Sequence, residues 1–440
     1  MTSRTRWLVG LVALLLIGVG SAYAVARRGD SPCGAGVTSR AGAQSSTPFL
    51  DASGRSEQPD EDRERAAASL ESGPSPFGPV LGAVGYHYEQ WAQLSSYAQG
   101  IGVRTRDNPD FTMLDDQTLK PLWSVQVDTA RSTYDANEST YLVATMPKET
   151  SPDLVALDAD TGNRRWCASL GGRRVGAADP FATRLLDDGG VIVVGPGKAD
   201  GLRVARLDRR GVTVWTRQVD ADRGDYVGAL DDTTLLVGGR AQFELADASI
   251  PARPGVALRA LDLADGRTAW RHEVPSGTAL HVIGTVGGTT VIDERADGAA
   301  PRLVGLDGEG QTSWSMSPDL GASLDTALRG GRLLVRGGDR WASYDASSGR
   351  LQWRRTMPGK PQLLPYGFTL GSVPLLDAGH ALIGATTGLR VLDLSTGGFT
   401  ATAPLPTDGI NTTYWPYQVA VSRHLVAVAT NTSALLLQRR

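Results

Sequence analysis

The chain has 440 residues, 41% hydrophobic and 21% charged, which is enough apolar material for a full-sized core of ordinary composition. Its formal net charge of −3 excludes the strongly basic face that electrostatic nucleic-acid binding requires, so no nucleic-acid partner is expected.

The first element is an uncharged run of 20 residues, Trp7 to Ala26, between Arg4 and Arg6 on one side and Arg27 and Arg28 on the other. As a helix it is about 30 Å long, enough to cross a bilayer. Residues 1–28 are expected to be a single-pass transmembrane anchor, the reading that length favours. The alternative is a cleavable secretory signal, because Ala22-Tyr23-Ala24 and Ala24-Val25-Ala26 both fit a small-x-small cleavage site. With two Arg on each flank, the positive-inside rule gives little orientation.

Residues 29–80 read as a flexible linker. They are rich in Gly, Ser, Pro and Ala and carry six acids (Glu57, Asp60, Glu61, Asp62, Glu64, Glu71) against Arg63 and Arg65. Such a segment has too little apolar surface to offset its ordering entropy, with at most a short transient helix over Asp62 to Leu70. Residues 81–117 differ, because Tyr86, Tyr88, Trp91, Tyr97 and Phe111 crowd into them. They are expected to form an aromatic-rich capping segment packed on one face of the following domain, with a free partner-binding peptide as the other reading. Either way Tyr86, Tyr88, Trp91 and Tyr97 are the candidate partner surface.

From residue 118 to 440 one phrase returns six times: an apolar strand, an Asp, a polar turn ending in Gly, then a strand with Trp four residues on. It runs Asp158 to Gly162 then Trp166, Asp208 to Gly211 then Trp215, Asp262 to Gly266 then Trp270, Asp307 to Gly310 then Trp314, and Asp345 to Gly349 then Trp353. The sixth, Asp393 to Gly397, has Ala401 in the place of Trp. Successive Asp positions lie 50, 54, 45, 38 and 48 residues apart, a blade-sized period that predicts a β-propeller. Asp folds its carboxylate onto nearby backbone N–H groups and Gly supplies the left-handed conformation that closes the turn. Each Trp is expected to pack against a neighbouring blade while its indole N–H finds a backbone acceptor. Short apolar strands between further Gly- and Asp-containing turns make the region all-β with few helices.

The C-terminus offers two strands, His424 to Thr430 and Ala434 to Gln438, without the Trp strand of the other repeats. An orphan strand, Leu122-Trp123-Ser124-Val125-Gln126-Val127, resembles Val214 to Val219 and is expected to complete that last blade. The expected architecture is a seven-bladed propeller over 118–440, its sheet edges removed by closure. Cys33 and Cys167 are the only cysteines; in an exported chain they are expected to pair, closing a loop of 134 residues and pinning the stalk to the rim, with two free thiols as the alternative. The Arg pairs at 164/165, 173/174, 209/210 and 354/355 read as solvated strand and turn positions.

The phrases Ala156 to Trp166 and Ala260 to Trp270 resemble the PQQ-like (quinoprotein-type) propeller repeat. That family includes quinone-cofactor alcohol dehydrogenases and the cofactor-free BamB-type propellers of outer-membrane protein assembly. Relation to the dehydrogenases implies adjacent cysteines in a vicinal disulfide over the cofactor, a Trp beneath it, and carboxylate and Asn ligands for calcium. No segment carries that constellation, so no cofactor is expected. The histidines at 87, 272, 281, 380 and 424 show no HxH or HxxxH spacing, and GxSxG is absent. No catalytic or metal residues are assigned, and Trp123, Trp166, Trp215, Trp270, Trp314 and Trp353 read as structural. The expected function is a non-enzymatic, membrane-tethered scaffold on the extracytoplasmic side, held through residues 7–26 and binding a cell-envelope protein or peptide. The alternative is a quinoprotein-like propeller with a small ligand in its central channel.

Overall fold

The computed structural model describes residues 33, 34, 36–41, 77–85, 92–97, 100–105 and, between 111 and 439, the strands with their short turns. Every regular element among the described residues is a strand. Two of them, β1 (Val37–Ala41) and β2 (Phe77–Gly85), precede the first blade. Blade 1 is β3 (Ala92–Tyr97), β4 (Gly100–Thr105), β5 (Phe111–Asp115) and β6 (Pro121–Val127), with β1 added antiparallel along the outer edge of β6. Blade 2 is β7 (Ser132–Ala136) to β10 (Arg164–Ser169) through β8 (Thr140–Thr145) and β9 (Asp153–Asp158). Blade 3 is β11 (Ala182–Leu185), β12 (Val191–Pro196), β13 (Leu202–Leu207) and β14 (Thr213–Val219).

Blade 4 is β15 (Asp225–Ala229), β16 (Thr234–Ala241), β17 (Ala257–Asp262) and β18 (Thr268–Glu273). Blade 5 is β19 (Thr278–Val286), β20 (Thr289–Ala296), β21 (Arg302–Leu306) and β22 (Thr312–Met316), joined to blade 4 by a short parallel pairing of β16 with β19. Blade 6 is β23 (Asp325–Arg329), β24 (Arg332–Gly337), β25 (Arg340–Asp345) and β26 (Leu351–Thr356). Blade 7 shows β27 (His380–Ala385), β28 (Gly388–Asp393) and β29 (Phe399–Ala403), with a single inner bridge from Leu375 to Ala381. Blade 8 is β30 (Gln418–Val421), β31 (Leu425–Ala429) and β32 (Ser433–Arg439), with β2 as its outermost strand.

The ring therefore has eight blades and not the expected seven. Closure is of the expected kind, an N-terminal strand completing the C-terminal blade, but the strand is β2 and not the one bearing Trp123. Trp123 belongs to β6, the outer strand of a blade whose three inner strands come from the stretch expected to be a cap. The reason lies in Asp115-Asp116-Gln117-Thr118-Leu119, followed by Trp123 four residues on: this is the repeating phrase with Leu in the place of Gly. Asp115 Oδ1 accepts from the Gln117 and Thr118 N–H groups and from the Thr118 hydroxyl, as Asp158 Oδ1 does from Asp160 and Thr161. The ring is sealed where β3 lies against β30 and β31, and where the His424 N–H donates to the buried Asp116 carboxylate at 3.1 Å.

The core sits between blades. Phe111, Trp123 and Val125 of blade 1 meet Tyr141, Val143 and Val155 of blade 2, while Leu142 and Leu154 face Val191 and Leu207 of blade 3. Both faces of the blade 2 sheet are thus covered at its inner strands, so β8 is buried at all six positions. All hairpin turns from inner to second strand and all Asp turns share one end of the blades, the turn face. The remaining connections share the other end, the loop face. Among the described residues no helix is long and apolar enough to cross a membrane; the run Trp7 to Ala26 lies outside them.

Candidate functional site

The repeated Asp, Gly and Trp form one device. In the five-residue turns the Gly N–H donates to the Asp carbonyl, at 2.8 Å from Gly162 to Asp158 and 2.9 Å from Gly397 to Asp393. The residue after Asp is turned inward and buried: Ala159, Leu263, Ala346 and Leu394. Its N–H donates to the inner hairpin of its own blade, at Ser139, Thr233, Gly331 and Gly379 respectively. Its carbonyl accepts the indole N–H of the preceding blade, from Trp123 to Ala159 at 2.8 Å, Trp215 to Leu263 at 2.8 Å, Trp314 to Ala346 at 3.1 Å and Trp353 to Leu394 at 2.8 Å. One residue thus joins two turns and two blades.

The turns at 208–211 and 307–310 are one residue shorter, and there the residue after Asp, Arg209 or Gly308, is exposed. Trp270, which faces the second of these, has a buried indole nitrogen without a partner. The turn glycine is dictated by the same indole. Gly162 has φ +69°, and a Cβ on it would lie 2.7 Å from Cγ of Trp123; Gly211, Gly266, Gly310, Gly349 and Gly397 sit likewise on Trp166, Trp215, Trp270, Trp314 and Trp353. The two exceptions in sequence follow. Blade 8 takes its last two strands from opposite chain ends and has no Asp turn, so nothing is there for a Trp to cover and position 401 is Ala. Strand β2 carries no Trp, so the first turn needs no Gly and has Leu119.

The Asp side chains are committed to these turns. Ser395 and Thr396 donate to Asp393 and hold its carboxyl down at about 2, the Ser395 hydroxyl foremost. Asp158 is lowered chiefly by Arg165, Asp345 by Ser347, and Asp115 by Thr118. This accounts for the series as hairpin chemistry.

Toward the loop face, blade 5 is tied to both neighbours by ions. Arg295 pairs with the buried Asp293, at 2.6 Å, and donates to the Leu324 carbonyl leading into blade 6. Glu294 meets His272 of blade 4 at 3.3 Å and Arg302 at 3.2 Å. Burial pushes the Asp293 carboxyl up. Among the described residues no group of three His, Cys, Asp or Glu is placed to hold a metal ion.

Cys33 and Cys167 are joined in a disulfide, as expected. It anchors a strap, Cys33–Ala41, which crosses from blade 2 to the outer edge of blade 1. The Gly34 N–H donates to Asp153 at 2.8 Å, and Arg164 reaches the carbonyls of Cys33 at 3.2 Å, Gly34 at 3.1 Å and Val37 at 3.5 Å. Five residue pairs, Val37 with Val127 through Ala41 with Trp123, complete the attachment. The part of the 29–80 linker that is described is therefore docked, not free. Arg164, read as a solvated position, and Asp153 are the residues sequence reasoning missed; an Arg three residues before a Cys was the only signal. By the chain-entropy model a crosslink closing so long a loop contributes at most about 5 kcal/mol.

Of the candidate partner residues, only Tyr97 lies in a described strand. Tyr86, Tyr88 and Trp91 lie outside the described residues, but the strand ends that flank them, Gly85 and Ala92, are at the loop face. Tyr97 is at the other end of β3, beside the hairpin to Gly100 on the turn face. At about 3.3 Å per residue the length of β3 separates it from Ala92 by roughly 17 Å.

A family model described as outer membrane protein assembly factor BamB matches residues 108–300 and 299–397. The chain belongs to this family. No curated protein matches it. Among solved structures it is similar to BamB from Moraxella catarrhalis, at 16% identity over 82% of this chain and 99% of that one, with a TM-score of 0.47. It is also similar to the quinohemoprotein alcohol dehydrogenase ADHIIG from Pseudomonas putida HK5, at 10% identity over 83% and 76%, TM-score 0.48. A third is the Dos1 propeller, at 11% identity over 80% and 89%, TM-score 0.46. At these identities the likeness assigns no activity. The quinone site of the dehydrogenases, as implied by the resemblance above, does not fit this BamB-family chain: its only two cysteines are bonded to each other 134 residues apart, so no adjacent pair is left to cover a cofactor.

Proposed function

We propose that this chain is a non-catalytic, membrane-tethered propeller of the cell envelope that binds a protein or peptide on the extracytoplasmic side. The observation that carries the reading is the match to a family described as an outer membrane protein assembly factor over residues 108–397. Two features support it. The Asp series is spent on turn closure and the cysteine pair on the strap, so the residue types an enzyme of the quinone branch would use are already engaged. The uncharged run Trp7 to Ala26 supplies the tether.

The proposed partner surface is Tyr86, Tyr88 and Trp91, which in sequence join the loop-face ends of β2 and β3. Deleting 81–117 would remove β3, β4 and β5, so the surface is tested by Tyr86→Ser, Tyr88→Ser and Trp91→Ser together. The test is in-cell crosslinking and pull-down of the full chain from intact membranes. A discrete crosslinked partner lost in the triple variant is expected; no partner at all would sink the scaffold reading. A stoichiometric visible chromophore after incubation with quinone and calcium would replace it by the ligand-binding one.

A further inference from the structure

The strap changes how far the propeller can stand from its tether. From Ala26, the end of the uncharged run, to Cys33 there are seven residues, at most about 25 Å of chain. Were the whole linker free up to Phe77, 51 residues would span about 180 Å. The disulfide, the Gly34 bond to Asp153, the Arg164 grip and the β1 ladder take residues 33–41 out of the linker. Residues 42–76 then run between two points on the ring, Ala41 on blade 1 and Phe77 on blade 8, and add nothing to the reach. The exit point is the outer rim at blades 1 and 2, not either face.

We infer that the outer rim of blades 1 and 2 is a membrane-apposed surface, held edge-on against lipid headgroups, with blades 5 and 6 across the ring turned away. This rests on the tethered reading above. The occupant is a bilayer surface because the chain leading into the strap comes from the uncharged run and is too short to carry the rim elsewhere. The strap presents Thr38 and Arg40 outward, and Lys120 on the adjoining turn is exposed, so cations sit where phosphate headgroups would be; Asp160, also exposed nearby, is the opposing charge. Edge-on seating leaves both the turn face and the loop face open to partners.

The full chain is reconstituted in vesicles of phosphatidylcholine and phosphatidylglycerol, with a photo-crosslinking amino acid at Thr38 on the strap or at Leu351 on the outer strand of blade 6. Lipid adducts are read by mass spectrometry after flotation. Adducts from Thr38 should exceed those from Leu351 severalfold, and a Gly-Ser spacer inserted between Arg28 and Gly29, which leaves the strap untouched, should raise labelling at Leu351. Equal labelling at the two positions without the spacer overturns the inference while flotation upholds the tether. Failure of the chain to float with vesicles overturns the tethered reading and this inference with it.

Discussion

Replacing Gly162 by Ala tests the claim that turn glycines are set by the indole of the preceding blade and not by the turn alone. The added Cβ meets Cγ, Cβ and Cδ2 of Trp123 at 2.7, 2.9 and 2.9 Å, and Trp123 is fully buried. Its φ of +69° costs a non-glycine residue about 1 to 2 kcal/mol, and overpacking a rigid ring adds about 1 to 3 kcal/mol. The expected loss is therefore about 2 to 5 kcal/mol. Gly331→Ala is the control, because its φ is +75° and a Cβ there meets nothing within 4 Å, which leaves only the backbone cost of about 1 to 2 kcal/mol. The two variants are compared by urea unfolding with the disulfide intact, from midpoints at a common slope. A Gly162→Ala loss no larger than that of Gly331→Ala would refute the docking argument.

Trp123→Phe strands the Ala159 carbonyl and should cost about 1 kcal/mol more than Trp270→Phe, whose indole nitrogen has no acceptor; equal losses in urea would show that the turn length is irrelevant. Acid should destabilise the ring below the ordinary carboxylate range. Asp393 in the unfolded chain takes up its proton near pH 4, the folded carboxyl only at about 2, so stability is lost as pH falls through that window, and Asp393→Asn should shallow the loss in a pH-dependent thermal melt. Deleting Phe77–Gly85 bares the edge of β32 and should produce aggregates on size-exclusion chromatography; a product that elutes like the parent chain, with unchanged unfolding, would mean that β2 does not close the ring.

The propeller was legible because its repeat is written in contacts a few residues long. Asp158 reaches Thr161, Gly162 closes on Asp158, and a Trp follows at fixed spacing, so the turn, the strand and the blade period are all local statements. Even the missed first blade carried its signal in Asp115 to Thr118, hidden by Leu119. The pairing of Cys33 with Cys167 was likewise readable, since the chain offers no other cysteine.

Blade number, the identity of the closing strand and the path of the strap were decided only by the assembled ring. Strand β2 pairs with residues some 350 positions away, Ser433 to Arg439, and its sequence contains no phrase to announce it. Arg164 looked solvated because its acceptors are carbonyls of Cys33, Gly34 and Val37, brought to it by folding. The absence of Gly at 119 and of Trp at 401 has the same origin: the turn position answers the blade before it and the Trp position the blade after it, and which blades are adjacent is a property of the closed circle and not of the chain.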